Sequence, residues 1–151
     1  MKQILLSIIT LVSLAGCATT SQTTTPTQIA TAVEPYVRPA TAALASAALL
    51  TQAADKRAEL AGYLYAAGQI VYSLSTGAAP TAEQLKSAIS VAYAGPDSDQ
   101  WMAIAGSVAA IYAGVYPSIQ NKPDAALKII SGLAAGLEDA ASIYIPKTNP
   151  S

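Results

Sequence analysis

Between Gln28 and Ile145, proline and glycine cut this chain into alanine-rich stretches. None of them sustains the every-second-residue apolar alternation that a half-buried strand requires. Alanine gives up no side-chain entropy in a helix and has the highest helix propensity. The expected fold class is therefore all-α: a small Ala-rich bundle of about four to five helices.

The punctuation places the elements. Gln28–Glu34 reads as a short helical turn, and Pro39 as the first residue of a helix, where its missing N–H is harmless. No Gly or Pro separates Pro39–Ala54 from Asp55–Ser75, so one long helix and two helices broken near Thr51–Lys56 both fit. Gly77-Ala78-Ala79-Pro80 then stops the chain. Thr81-Ala82-Glu83-Gln84 has the form of a capping box and opens a helix expected to end near Ala94, before Gly95-Pro96. Asp97 is expected to cap a helix reaching Tyr116 and halted by Pro117. Lys122-Pro123-Asp124 opens a last helix to about Ser142. Val71-Tyr72, Pro80 and Leu85-Lys86 resemble Val115-Tyr116, Pro123 and Leu127-Lys128, which suggests two helix hairpins of similar design.

Small residues recur at every fourth position in three rows: Ala54, Ala58, Gly62, Ala66; Gly106, Ala110, Gly114; and Gly132, Gly136, Ala140. Residues four apart share a helix face, so each row is expected to let a neighbouring backbone approach closely. Leu60–Ala82 and Trp101–Gln120 carry no charge. Burial in a core explains both runs, with a lipid-facing hairpin as the alternative.

The first seventeen residues carry the one signal of location. Met1-Lys2-Gln3 is a short basic start, Ile4–Leu14 an apolar run interrupted only by Ser7, Thr10 and Ser13, and Ala15-Gly16 are small. That is the anatomy of a signal peptide, and the run is shorter than the roughly 20 residues of a permanent span. It ends in Leu14-Ala15-Gly16-Cys17, at the only cysteine of the chain. The tetrapeptide resembles the lipobox of bacterial lipoproteins. The resemblance covers residues 1–17 and implies a diacylglyceryl thioether on Cys17, cleavage before it, and acylation of the new amino terminus, commonly with palmitate. Ala18, in place of the aspartate that retains such proteins at the inner membrane, implies the outer membrane in a Gram-negative cell, and otherwise the outer face of the cytoplasmic membrane.

The expected organisation is a signal peptide (1–16), a lipidated cysteine with a polar Thr-rich tether (17–27), a helical domain (28–145) and a polar tail (146–151). The tether is too polar to bury and reaches roughly 16–19 Å root-mean-square.

Composition narrows the domain's chemistry. Loss of Lys2 with the leader leaves seven basic side chains against nine acidic, with no footprint for nucleic acid and no polybasic patch. Histidine is absent, and so is any thiol but Cys17. That removes imidazole bases, disulfides and thiolate nucleophiles, and leaves only oxygen ligands for a metal. Asp97-Ser98-Asp99 is part of a calcium-loop pattern without its glycine and distal glutamate; helix capping accounts for it. Glu138 and Asp139, being adjacent, point apart. Glu34–Arg38, Asp124–Lys128 and Glu83–Lys86 have the spacing of surface ion pairs. No catalytic residue, metal or cofactor is assigned.

Eight tyrosines and Trp101 supply every aromatic ring. Tyr65 and Tyr72 share one helix face, and Tyr112 and Tyr116 another. If the faces meet they line a groove for a ligand or partner; packing at the edge of a core explains the same spacing. The reading is thus a lipid-anchored, non-catalytic binding or structural module of the cell envelope, held to the membrane by its lipid and contacting an envelope protein. A carrier or sensor of a small apolar ligand, and a phage- or plasmid-encoded exclusion or lysis lipoprotein, are the alternatives.

Overall fold

A computed structural model describes residues 26–75, 78–93, 95 and 98–145. The leader, Cys17, the tether as far as residue 25, Asp97 and the tail from Pro146 lie outside the described residues, and residues 26 and 27 of the expected tether belong to α1. The described chain is all-α, with five helices: α1 (Pro26–Leu50), α2 (Ala54–Ser73), α3 (Ala82–Val91), α4 (Ser98–Ile119) and α5 (Pro123–Ser142).

Going round the bundle, neighbours run α5–α1–α4–α3–α2 and back to α5; α4 with α5 and α1 with α2 make the smallest contacts. One core fills the middle, with Leu49, Leu64, Leu85, Ile89, Trp101, Tyr112, Ile129, Leu133 and Leu137 all fully buried. α5 buries most of its circumference, with Ala126, Ile129, Ile130, Leu133, Ala134, Gly136, Leu137, Ala140 and Ala141 inside. α1 and α5 run the same way, because Glu34 pairs with Lys128, Gly132 lies against Val37 and Gly136 against Thr41.

Three expectations are corrected. α1 is one helix from Pro26 and runs through Pro35 and Pro39, where a turn and a fresh start were expected. Both prolines are exposed, so the helical N–H each one lacks is missing on the solvent side and not in the core. Val37, Thr41, Ala45 and Leu49 face inward at four-residue spacing, and their burial holds the helix together across the lost bonds. α4 likewise continues through Pro117, also exposed, to Ile119. α3 ends at Val91, short of Ala94.

The open question over residues 39–75 resolves into two helices broken at Thr51–Ala53. The break is made by side chains: the Thr51 hydroxyl donates to the Ala48 carbonyl at 2.7 Å. Arg57 Nε donates to the Gln52 carbonyl at 3.1 Å, and its guanidinium reaches back to Leu50 O at 3.4 Å. The Thr81 capping box is present, Gln84 N–H donating to Thr81 Oγ1 and Thr81 N–H to Gln84 Oε1. The repeat does not extend to burial, since Leu85 is buried and its counterpart Leu127 exposed.

Of the three small-residue rows, only the last lies in a close seam. A Cβ on Gly136 would fall 2.6 Å from the Arg38 carbonyl oxygen, whereas at Gly62, Gly106 and Gly114 it would meet nothing within 4 Å. The α2 glycine that touches a neighbour is Gly68, against Glu138 and Ala134 of α5. α4 is, among the described residues, the one helix long and apolar enough to cross a membrane (mean hydropathy 1.5, 39% of that window buried). Its apolar side supplies Trp101, Ile104, Val108, Tyr112 and Val115 to the core.

Candidate functional site

The four tyrosines of the expected groove do not converge. Tyr112 is fully buried and donates its hydroxyl to the Pro80 carbonyl at 2.8 Å. Burial pushes its phenol up to about 12. Tyr116 tilts against it at 5.7 Å between ring centres. Tyr65 and Tyr72 stand on the outside of α2, 46% and 56% exposed, and α2 and α4 are not neighbours in the bundle. Tyr112 ties α4 to the start of α3, which is the structural role of a buried hydroxyl.

The aromatic residues that do converge are Tyr63, Tyr93 and Trp101, at the end of the bundle formed by the α1–α2 turn, the end of α3 and the start of α4. Trp101 sits in the first turn of α4 with its ring buried, and its indole N–H donates to the Ile89 carbonyl at 2.9 Å. Tyr93 stacks on it (5.4 Å, 18°) and Tyr63 meets Tyr93 edge-on (4.9 Å, 69°). These are favoured aromatic geometries, worth about 0.5–1.5 kcal/mol per pair beyond the area they bury.

Beside the rings is a small open cleft of about 50 Å³. Leu60 and Ile104 contribute its apolar surface, and Gln52 and Gln100 its amide rim. Gln52 Nε2 donates to Gln100 Oε1 at 2.5 Å, and Gln100 Nε2 to the Thr51 hydroxyl at 3.1 Å. The turn that breaks α1 from α2 thereby fixes the rim, and those bonds link it to α4. Lys56 and Glu59 pair across one side at 3.5 Å. The cleft thus combines ring faces, amides and a compensated charge pair.

A wider open depression, about 360 Å³, lies at the opposite end, between Thr31 and Glu34 of α1 and Lys122–Lys128 at the start of α5. Its two lysines are balanced by Glu34 and Asp124, and Lys128 is bonded to Glu34 at 3.3 Å.

The carboxylates of α5 diverge as adjacency requires. Asp139 takes two hydrogen bonds from Arg38, at 2.6 and 2.8 Å, and Glu138 accepts from Gln69 Nε2 at 2.6 Å. One helix is thereby laced to α1 by one carboxylate and to α2 by the next. The bonds from Arg38 hold the Asp139 carboxyl below the usual carboxylate range, and Asp139 raises Arg38 in turn. Arg38 and Lys128 thus take partners on other helices, where pairs within one helix were expected from spacing. Asp99 is exposed in the first turn of α4, as dipole complementarity favours. Among the described residues no three acidic, histidine or cysteine side chains group to hold a metal ion.

Tyr63, Tyr93, Gln52 and Gln100 were not legible as a site. They come from four elements, and only Tyr93 and Trp101 offered a local hint, by flanking the Gly95-Pro96 turn. Comparison with family models, curated proteins and solved structures found no match.

Proposed function

We propose that this is a lipid-anchored cell-envelope protein whose helical domain is a non-catalytic binding module facing the periplasm or the cell surface. The observation that carries the reading is Leu14-Ala15-Gly16-Cys17 at the end of an apolar run, followed by a Thr-rich tether. A thioether-linked diacylglyceryl group with a further acyl chain gives stable anchoring, at about 0.8 kcal/mol per buried methylene. Two features of the domain support the rest. The chain enters α1 at Pro26, at the end of the bundle shared with the α4–α5 turn, so the aromatic cleft is at the end away from the attachment. Arg38–Asp139, Lys128–Glu34 and Gln69–Glu138 pair at the surface and hold helices together.

The test is Cys17→Ser in the full chain. The wild type incorporates labelled palmitate and fractionates with membranes; the variant takes up no label and accumulates as uncleaved precursor. Processing and membrane retention of the variant equal to wild type would overturn the reading. Crosslinking in the native envelope then identifies what the domain touches.

A further inference from the structure

We propose that the cleft at Tyr63, Tyr93 and Trp101 is a subsite for a neutral, hydroxyl-rich ligand, a saccharide. The inference names a ligand class for the binding module proposed above and does not depend on its anchor.

Three features select that chemistry. The first is the ring surface. Tyr63 and Tyr93 are half-buried beside the cleft, with Trp101 fixed behind Tyr93. The part of these rings that lines the cleft suits the apolar C–H edge of a pyranose, which is weakly hydrated. The second is hydrogen-bonding capacity without a protein partner. Gln52 Nε2 and both polar atoms of the Gln100 side chain are engaged in the rim, but Gln52 Oε1 and the Tyr63 hydroxyl take no hydrogen bond among the described residues. A fixed acceptor and a phenol next to a ring face match adjacent sugar hydroxyls, which both donate and accept. The third is charge. Lys56 and Glu59 meet at 3.5 Å on the same rim. A cation drawn to the rings meets Lys56, and an anion drawn to Lys56 meets Glu59, so a neutral ligand alone avoids repulsion. A few polar groups around an apolar surface is the usual make-up of a small-molecule site.

Size sets the affinity. A cleft of about 50 Å³ holds about three or four waters. It accepts the edge of one sugar ring, and a contact that small gives a Kd on the order of 1–10 mM for a single unit. A chain of such units on an envelope polymer would engage it by one residue at a time.

Trp101 is the only tryptophan, so its fluorescence reports directly on the ring stack. The full chain, purified in a polyoxyethylene detergent free of sugar, is titrated with glucose, N-acetylglucosamine and chitotriose. Tetramethylammonium chloride and sodium acetate serve as charged comparisons. The expected result is a saturable emission change with sugar and none with either salt. Gln52→Ala, which removes the open acceptor, weakens it by about fivefold or more, the equivalent of one neutral hydrogen bond. Tyr63→Phe keeps the ring and loses a smaller factor. Circular dichroism of both variants matches wild type. Tighter binding of chitotriose than of N-acetylglucosamine assigns the site to a glycan chain, and equal binding to a free sugar. No saturable response to any of the three sugars, an equal response to tetramethylammonium, or a Gln52→Ala titration identical to wild type would overturn the proposal. The Cys17→Ser chain titrates like wild type, so loss of the anchor and loss of the site are read separately.

Discussion

Two rows of the same pattern, Gly106-Ala110-Gly114 on α4 and Gly132-Gly136-Ala140 on α5, meet opposite surroundings. The α5 row forms a seam with α1 in which the Arg38 carbonyl, Thr41 Cβ and the Ala42 nitrogen stand within 3.0 Å of where a Gly136 Cβ would be. The α4 row has open space over both glycines. In the seam, glycine is required by the approach of a backbone that cannot retreat. On α4 nothing inside the molecule requires it, and each glycine keeps its entropic cost relative to alanine. The spacing of small residues therefore marks a face that permits close approach, and the neighbour alone determines whether the approach occurs.

The contrast breaks or sharpens by substitution. Gly136→Ala carries the largest expected effect, a loss of about 2–3 kcal/mol, because the clash is with backbone. Urea unfolding followed by circular dichroism measures it, and a loss below half a kilocalorie would mean that α1 shifts freely on α5. In the same seam Thr41 is fully buried and its hydroxyl has no hydrogen-bond partner. Thr41→Val removes that penalty and gains about 1–2 kcal/mol by the same measurement.

The tyrosines extend the comparison to buried and exposed hydroxyls. Tyr112→Phe leaves the Pro80 carbonyl without its donor and costs about 1–2 kcal/mol, while Tyr72→Phe is neutral. Because the folded state holds the Tyr112 proton more tightly than the unfolded chain does, this contribution is complete below pH 10 and disappears as pH rises from the ordinary value of 10.0 to about 12. Alkaline unfolding of wild type in that window, shifted upward in Tyr112→Phe, is the expected signature.

On the α4 side, Gly106→Ala and Gly114→Ala each stabilise by about 0.5–1 kcal/mol. A loss in either variant would show that α4 is covered after all, and the contrast with α5 would fail. The smallest effect short of none belongs to Arg38→Ala. Its pair with Asp139 is solvent-exposed on both sides, 59% and 44%, so its contribution is small and salt screens it. Since Asp139 is held below its ordinary value, that contribution is present at neutral pH and lost as pH falls below about 4. Thermal melts at low and high salt resolve it.

Legibility followed the range of the interaction. The Thr81 capping box, the Pro123 start of α5 and the all-α class rest on residues within one or two turns of each other, and the structure has them. The continuation of α1 through Pro35 and Pro39 does not rest on local preference. It rests on Val37 and Thr41 meeting α5 almost a hundred residues later, an interaction that outweighs the proline penalty. The break at Thr51–Ala53 lay between, being made by Thr51 and Arg57 without a glycine or proline to announce it.

The cleft was the least legible feature. Tyr63, Tyr93 and Trp101 are brought together because α2, α3 and α4 end or begin at one level of the bundle, and no spacing along the chain records that. The expected pairs Tyr65–Tyr72 and Tyr112–Tyr116 had the right helical periodicity, but their helices are not neighbours.

The sequence by itself determined that this chain is helical, where α3 and α5 start, and that apart from Cys17 it has no histidine or thiol chemistry, because propensity, capping and composition act through local or additive terms. Tertiary structure decided which of three equivalent small-residue rows became a seam, which tyrosine was buried and where the rings met. Those outcomes depend on which faces are opposed, and packing at van der Waals distance admits only one arrangement of them.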